Sequence, residues 1–342
     1  MAKIAVLDSP KRRIDIKTFR ENLCEHTVER IALDGNAIDT PIDQSIDFAP
    51  YRALYVRVGD VTDQVLSRGS NLEIVSTCGS GYNHIDLKAA TRRGIMVTHT
   101  PEAPAPGAIE HTFGFIFALL NRFPAMFEQT SKGNWSEGQT IVEELYDRTI
   151  GVVGLGTIGS EVAKIAQNSF NADVIAYDPY VDGSRYSPIY PRVSREEIEN
   201  AGINLVDKHE LFQSASLVTV HVPLNAETRG IIGREELETL KGGYLINLSR
   251  GGVVDEKSLI DAVEHRLLKG VALDVVESEP PEADHPLLGM PRVYITPHIA
   301  GGKEGYSRRS ALINAKRITR ALRGEKPKNL INPEVLDGEK FL

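Results

Sequence analysis

The sequence predicts an α/β protein of two doubly wound parallel-sheet domains with a cleft between them. Three observations predict it. Apolar, β-branched runs alternate with helical stretches along the 342 residues. A glycine-rich turn, Gly151-Val-Val-Gly-Leu-Gly-Thr-Ile-Gly159, stands between a strand and a helix. A proline-rich break, Pro101-Glu-Ala-Pro-Ala-Pro-Gly107, separates an earlier run of elements from a later one. The chain is long enough to fill two cores.

In order, Lys3–Asp8 reads as a strand and Ile14–Leu23 as a helix. Tyr51–Val58, Leu72–Thr77 and Ile95–Thr98 read as strands. Val61–Arg68 and His84–Arg93 read as helices, the second ended by Gly94. After the break, expected to be extended, a long helix runs from about Ala108 into the 123–130 region. Its Phe113, Phe115, Phe117 and Leu120 read as core packing or a subunit contact. The later run opens with a strand over Thr149–Val153, the glycine turn, a helix over Ser160–Gln167 and a strand over Asp173–Tyr177. Residues 181–194, with two prolines and no period, read as a surface loop. Strands follow at Leu217–Pro223, Gly243–Ser249, Val271–Val276 and Val293–Thr296. Helices lie at Arg234–Leu240 and at Asp255–Leu268, the latter ended by Gly270. The last helix, about Lys303 to Arg323, is expected to pack back on the first domain. That domain is then discontinuous, built from 1–101 and 299–342, around a second domain over 102–298.

The glycine turn has the G-x-G-x-x-G spacing in Gly154, Gly156 and Gly159. Gly154 allows the tight turn, Gly156 lets backbone approach a pyrophosphate, and Gly159 lets helix pack on strand. The N–H groups at the helix start, around Thr157 and Ile158, would receive the pyrophosphate. Asp178 ends the next strand, 19 residues beyond Gly159. A carboxylate there accepts both ribose hydroxyls of NAD and repels the extra phosphate of NADP. The second domain therefore reads as Rossmann-like and NAD-binding; the first is Rossmann-like or flavodoxin-like.

Composition narrows the partners. Hydrophobic residues at 41% and charged residues at 25% are ordinary for a globular protein. A net charge of −8 argues against a nucleic-acid surface and an anionic membrane, though not against a local basic pocket for an anionic substrate. Cys24 and Cys78 suggest neither a disulfide framework nor a zinc site, so no metal is expected. The N-terminus lacks a signal-peptide core, and the Phe113–Leu120 run is too short to span a bilayer. The expected location is the cytoplasm.

Three ionisable residues follow predicted strands downstream of the glycine turn: Arg250, Glu279 and His298. Together they suit hydride transfer at a carbinol carbon. Histidine can give or take the proton on oxygen. A neighbouring carboxylate holds the ring and favours its charged form. Arginine grips a carboxylate with two parallel hydrogen bonds and polarises the carbonyl beside it. Each has a plainer reading alone: a loop charge, a turn residue with Glu277 as rival, and a structural histidine after Thr-Pro. As an ordered set behind a nucleotide motif they point to catalysis.

The runs Asn247-Leu-Ser-Arg-Gly-Gly-Val-Val-Asp255, Leu273-Asp-Val-Val-Glu-Ser-Glu-Pro280 and Thr296-Pro-His-Ile-Ala-Gly301 resemble the D-isomer-specific 2-hydroxyacid dehydrogenases. Val218-Thr-Val-His-Val-Pro-Leu224 and Tyr82-Asn-His-Ile-Asp-Leu87 match the same family, so the resemblance covers essentially the whole chain. It implies a discontinuous substrate-binding domain with an inserted NAD domain, and Arg250, Glu279 and His298 as the catalytic three. It selects Glu279 over Glu277. It implies Asp274 near the nicotinamide amide, His221 and Pro223 along the adenosine side, and Asn247 beside the cofactor. It implies backbone N–H groups of Gly79, Ser80 and Gly81 for the substrate carboxylate. It also implies a homodimer through the NAD domain, with the helix near 108–130 as its arm.

The chain departs from the usual family wording at Arg57-Val-Gly-Asp60, at His99 and at Pro101-Glu-Ala-Pro104, which leaves the substrate open. Arg57 is a candidate cation for a substrate anion. Glu279, where the formate dehydrogenase branch has glutamine, argues against that branch. About forty residues past His298 leave no expected room for a regulatory domain of the kind found on some phosphoglycerate dehydrogenases. The expectation is an NAD-dependent enzyme interconverting a small 2-oxo acid and its D-2-hydroxy acid. 3-Phosphoglycerate is the alternative substrate, and a non-catalytic NAD-sensing corepressor the alternative class.

Overall fold

The structure, a computed structural model, describes residues 1–35, 39–135, 142–181 and 193–337. They form two compact units, one from Met1–Pro104 and the stretch beginning at Gly302, the other from the described residues between Ala105 and Gly301.

The first unit carries strands β1 (Lys3–Asp8), β2 (Thr27–Ala32), β3 (Ala53–Val56), β4 (Ile74–Thr77) and β5 (Met96–Thr98) in one parallel sheet, ordered β2-β1-β3-β4-β5. Successive side chains point to opposite faces, and both faces are covered. On β1, Ala5 and Leu7 join one core while Ile4 and Val6 join the other. Helices α1 (Ile16–Glu21), α2 (Asp63–Ser67) and α3 (Leu87–Arg92) begin at Asp15, Thr62 and Asp86, whose side chains accept an N–H of the first turn. β2 has no counterpart in the sequence reading. It is an edge strand in which only Val28 is buried, and Glu29 and Arg30 interrupt the apolar run that marks a central strand.

The second unit opens with α4 (Ala105–Leu120) and α5 (Phe123–Ser131). The single helix expected here is broken at Arg122, whose φ of 55° is left-handed, and Pro124 restarts the chain as a new first turn. The expected extended break also ends early. α4 begins at Ala105 because Pro106 falls in a first turn that needs no N–H. Then come β6 (Thr149–Val153), α6 (Gly159–Phe170), β7 (Asp173–Tyr177), α7 (Arg195–Asn200), β8 (Asn204–Leu205), α8 (Lys208–Ser214), β9 (Leu217–Val220), α9 (Arg234–Thr239), β10 (Tyr244–Asn247), α10 (Glu256–Glu264), β11 (Gly270–Leu273) and β12 (Val293–Ile295). α7, β8 and α8 are short, polar-faced elements with no sequence-level counterpart. Gly270 lies inside β11 rather than ending a helix; α10 already stops at His265, and Arg266 turns left-handed. The surface loop expected over 181–194 falls mostly on 182–192, outside the described residues. Ser194 caps α7.

The seven strands are parallel, ordered β12-β11-β10-β9-β6-β7-β8. The chain leaves β6 to one side for β7 and to the other for β9, so the sheet's switch point lies at the carboxyl end of β6, where the glycine turn stands. Phe113 and Phe115 are buried core, and Phe117 packs edge-on against Phe170, which settles those aromatics as packing. The last helix, α11 (Tyr306–Leu322), lies within the first unit against α1 and β4. Its buried Arg317 grips the Glu102 carboxylate with Nη2 at 2.9 and 3.0 Å and donates to the carbonyl of His99.

Candidate active site

The glycine turn sits where three chain segments crowd. Gly154 has φ +92°, and a Cβ there would stand 2.6 Å from Val222 Cγ1 and 2.9 Å from the carbonyl of His221. A Cβ on Gly159 would stand 1.9 Å from the Gly154 carbonyl oxygen. At Gly156, by contrast, no atom of the described residues beyond its chain neighbours lies within 4 Å of that position. α6 has no side-chain cap, and among the described residues nothing accepts the N–H of Gly156, Thr157 or Ile158. An open cradle of unpartnered donors at a helix start suits a pyrophosphate. Asp178 closes the turn from the side, its two oxygens each accepting a backbone N–H at 2.8 Å, from Leu155 and from Tyr180. Each oxygen keeps a lone pair for a ribose hydroxyl. The residues present therefore fit a dinucleotide.

The exit of β9 borders the same turn. His221 donates its N–H to the Val153 carbonyl at 2.8 Å, and its Nε2 lies 2.9 Å from Thr219 Oγ1. Burial pulls its imidazole down to about 3, so it stays neutral. The Pro223 carbonyl accepts from Thr228 Oγ1 at 2.5 Å. At the end of β10, Asn247 Nδ2 donates to the Arg250 carbonyl at 3.0 Å and Oδ1 accepts from Ser249 N and Oγ, so Asn247 shapes the loop that carries Arg250.

That loop lies directly on the next one. A Cβ on Gly251 would be 2.0 Å from the Val276 carbonyl oxygen and 2.5 Å from Glu277 N. Beyond this contact, Glu279 Oε2 meets His298 Nδ1 at 2.6 Å. Burial would raise the Glu279 carboxyl, but the hydrogen bond from His298, its charge, the Val276 N–H and the Arg250 charge hold it below the usual carboxylate range. Glu277 is exposed, and its backbone N–H donates to Glu256 Oε2 at 2.9 Å. With Nδ1 on the carboxylate, Nε2 is the second ring nitrogen of the half-exposed His298. Asp274, 1% exposed, accepts Thr296 Oγ1, Ile299 N and Ala300 N and so braces the loop bearing His298. Sequence reasoning assigned Asp274 to the cofactor and gave Thr296 and His111 no role; only their contacts single them out.

In the first unit, Arg57 follows β3 with its guanidinium 4.6 Å from the Tyr306 ring centre. Its buried Nε has no hydrogen-bond partner among the described residues. One expectation for the glycine loop needs correcting. The Gly79 N–H already donates to Thr100 Oγ1 at 2.7 Å, and the Gly79 carbonyl accepts Thr100 N at 2.7 Å. Gly79, at φ +76°, therefore shapes the loop, and the N–H groups of Ser80 and Gly81 are the ones left without an acceptor among the described residues. His99, buried, holds the Ser80 carbonyl through Nδ1 at 2.8 Å. No group of three metal-ligating side chains assembles among the described residues.

A nucleotide cradle, an arginine-bearing loop and a histidine–glutamate pair at the strand ends of one parallel sheet define a class of nicotinamide-binding α/β protein. The family model described as the NAD binding domain of D-isomer specific 2-hydroxyacid dehydrogenases matches residues 113–300. A D-3-phosphoglycerate dehydrogenase of Methanocaldococcus jannaschii is 37% identical over 291 residues, 84% of this chain and 53% of that protein. The chain thus spans about half the length of that relative. A glyoxylate reductase of Thermofilum pendens is 34% identical over 317 residues, 87% of this chain and 89% of that protein. Among solved structures, a D-lactate dehydrogenase from Aquifex aeolicus complexed with NAD and lactic acid has a TM-score of 0.77 at 27% identity, covering 97% of this chain and 98% of that one. The chain belongs to the D-isomer specific 2-hydroxyacid dehydrogenase family.

Proposed function

We propose that the chain interconverts a 2-oxo acid and its D-2-hydroxy acid by hydride transfer with NAD(H). The observation that carries this reading is the 2.6 Å contact between His298 and Glu279 in the unit that holds the nucleotide cradle. NAD(H), when bound, supplies or accepts the hydride at the carbinol carbon. Gly154, Gly156, Thr157, Ile158, Gly159 and Asp178 would hold it, with His221, Pro223, Asn247 and Asp274 alongside. His298 Nε2 gives the proton to the carbonyl oxygen in reduction and takes it back in oxidation. Glu279 holds the ring and balances its charge. Arg250 binds the substrate carboxylate and polarises the adjacent carbonyl. In the first unit, which we assign to substrate binding, Arg57 and the Ser80 and Gly81 N–H groups are the candidates for the substrate anion.

The glyoxylate reductase relative favours small oxo acids such as glyoxylate, hydroxypyruvate or pyruvate. The phosphoglycerate dehydrogenase relative favours a phosphorylated one as the second reading. Oxidation of NADH at 340 nm against a panel of these acids tests both. Turnover of one or two members supports the reading and names the substrate. Tight NADH binding with no turnover of any member overturns it in favour of a sensing protein. His298→Ala should cut turnover by roughly 10²–10⁴.

We also infer a homodimer through the second unit. α5 buries none of its residues, and Phe123 and Phe127, stacked at 5.6 Å, are 40% and 67% exposed, with Trp135 at 73%. Aromatic surface of that kind favours a partner. Phe127→Glu should convert dimer to monomer in sedimentation velocity; a wild-type monomer would refute the assignment. A cytoplasmic location is likewise our inference, consistent with free Cys24 and Cys78, and cell fractionation tests it. Among the described residues no helix is long and apolar enough to cross a membrane.

A further inference from the structure

A hydrogen-bonded chain runs beneath the loop that carries His298 and starts on a different element. His111 stands on α4 with its ring edge-on to Phe115, centroids 4.6 Å apart. Its Nε2 is 3.0 Å from Thr296 Oγ1, and Thr296 Oγ1 donates to Asp274 Oδ1 at 2.5 Å. A hydroxyl has one proton. Since Thr296 gives it to the carboxylate, it accepts from His111, and His111 carries its proton on Nε2. The same nitrogen is 4.0 Å from Asp274 Oδ1.

Asp274 passes this orientation on. Its carbonyl accepts the His298 N–H at 2.9 Å, while Oδ1 accepts Ile299 N at 2.9 Å and Oδ2 accepts Ala300 N at 2.8 Å. The chain turns left-handed at His298, φ +50°. A residue with a Cβ holds that conformation only where its surroundings over-determine it. Here the bonds to Asp274 do so, and the Asp274 carboxylate is held in turn by Ile299 N, Ala300 N and Thr296 Oγ1, with His111 behind Thr296.

We propose that His111 and Thr296 are positioning residues for the acid–base pair: through Asp274 they hold the left-handed turn that sets His298 against Glu279. The proposal rests on the reading of His298 as acid–base group. Its physical sense is directional. The donors converge on one buried carboxylate, so rotating that carboxylate breaks several bonds together and lets His298 swing from Glu279.

The test uses Thr296→Val, which keeps the shape and removes the hydroxyl, and His111→Leu. Thr296→Ser and His111→Gln serve as the conservative partners, since each restores a donor at the lost position. Two readouts are taken: kcat and KM for the oxo acid at saturating NADH, and amide hydrogen exchange of Ile299 and Ala300 in the cofactor-free protein. We expect Thr296→Val and His111→Leu to lower kcat about 10- to 100-fold, as loss of a hydrogen bond to a charged group does, with KM moving less than about threefold. Exchange at Ile299 and Ala300 should quicken at least about tenfold. Thr296→Ser and His111→Gln should recover most of both. Unchanged kcat in the soluble folded variants, or exchange at Ile299 and Ala300 that stays at the wild-type rate, overturns the proposal. Should the wild type turn over no oxo acid, the functional reading fails while the exchange experiment still decides whether this chain holds the turn. If one of the two disruptive variants fails to fold, the other carries the same expectation.

Discussion

Gly156→Ala separates what a glycine does for the fold from what it does for the cofactor. Beyond its chain neighbours, no atom of the described residues lies within 4 Å of the position its Cβ would take, and its φ is not among the positive ones, so alanine fits the backbone without strain. The change in folding free energy should stay within about 0.5 kcal/mol. That corresponds to a shift in Tm of about 1–2 °C in a unit of this size. The same methyl, however, stands in the space beside the N–H groups of Thr157 and Ile158, which have no acceptor among the described residues, where a pyrophosphate must come close to backbone. NADH affinity should fall about 10- to 100-fold, or roughly 1.4–2.8 kcal/mol. Gly159→Ala is the control of opposite kind. Its Cβ would lie 1.9 Å from a backbone oxygen that cannot swing away, so the fold itself should lose about 3 kcal/mol or more. Thermal melting without cofactor and fluorescence titration with NADH read the two effects apart. An unchanged NADH dissociation constant in Gly156→Ala would refute the cradle; a large fall in Tm would make Gly156 a structural residue instead.

Further outcomes follow from other contacts. Asp178→Ala removes the acceptor of the Leu155 and Tyr180 N–H groups and the repulsion toward a 2′-phosphate, so the preference for NADH over NADPH should fall about tenfold or more; an unaltered ratio rejects Asp178 as the selector. Glu279→Gln should lower kcat at pH 7 about 10²-fold. Because the Glu279 carboxyl is held below its usual range, against burial, by His298, the Val276 N–H and Arg250, its pairing is complete above the ordinary value of about 4.3 and is lost only as pH falls through the lower folded value. The acid limb it governs should therefore lie below about pH 4.3 in wild type and vanish in Glu279→Gln; superimposable profiles would remove it from the mechanism. Gly151→Ala puts a Cβ 2.6 Å from Leu211 Cδ2 and 3.0 Å from Ala215 Cβ under α8, and should cost about 1–3 kcal/mol in melting experiments while leaving NADH binding nearly intact once folded.

Much of this protein is readable along the chain. Strands such as Thr149–Val153 are buried on both faces, so they appear as unbroken β-branched runs, and their alternation with helices settles a parallel sheet. The nucleotide cradle is local: its glycines, its helix start and Asp178 lie within one strand–helix–strand passage, where spacing alone carries the chemistry. Arg250, Glu279 and His298 were legible as strand-end residues for the same reason. Long-range contact decided the rest. The family motif already singles out Glu279 over Glu277; what the fold adds is its contact with His298 at 2.6 Å and the tight seat of Gly251 on the Val276 peptide. The donors around Asp274 come from Thr296, Ile299 and Ala300, with His111 behind them on α4, separated by up to 185 residues in sequence. Gly79 gives its N–H to Thr100, a partner 21 residues on that no spacing rule links to it. Edge strand β2 escapes because an edge strand buries little, whereas the break at Arg122 does carry a sequence mark in Pro124, which cannot continue a helix. Periodicity and turn chemistry act over a few residues and leave their trace in the sequence; which side chains meet across the ends of a sheet depends on how many strands lie between them, and that is known only once the sheet has formed.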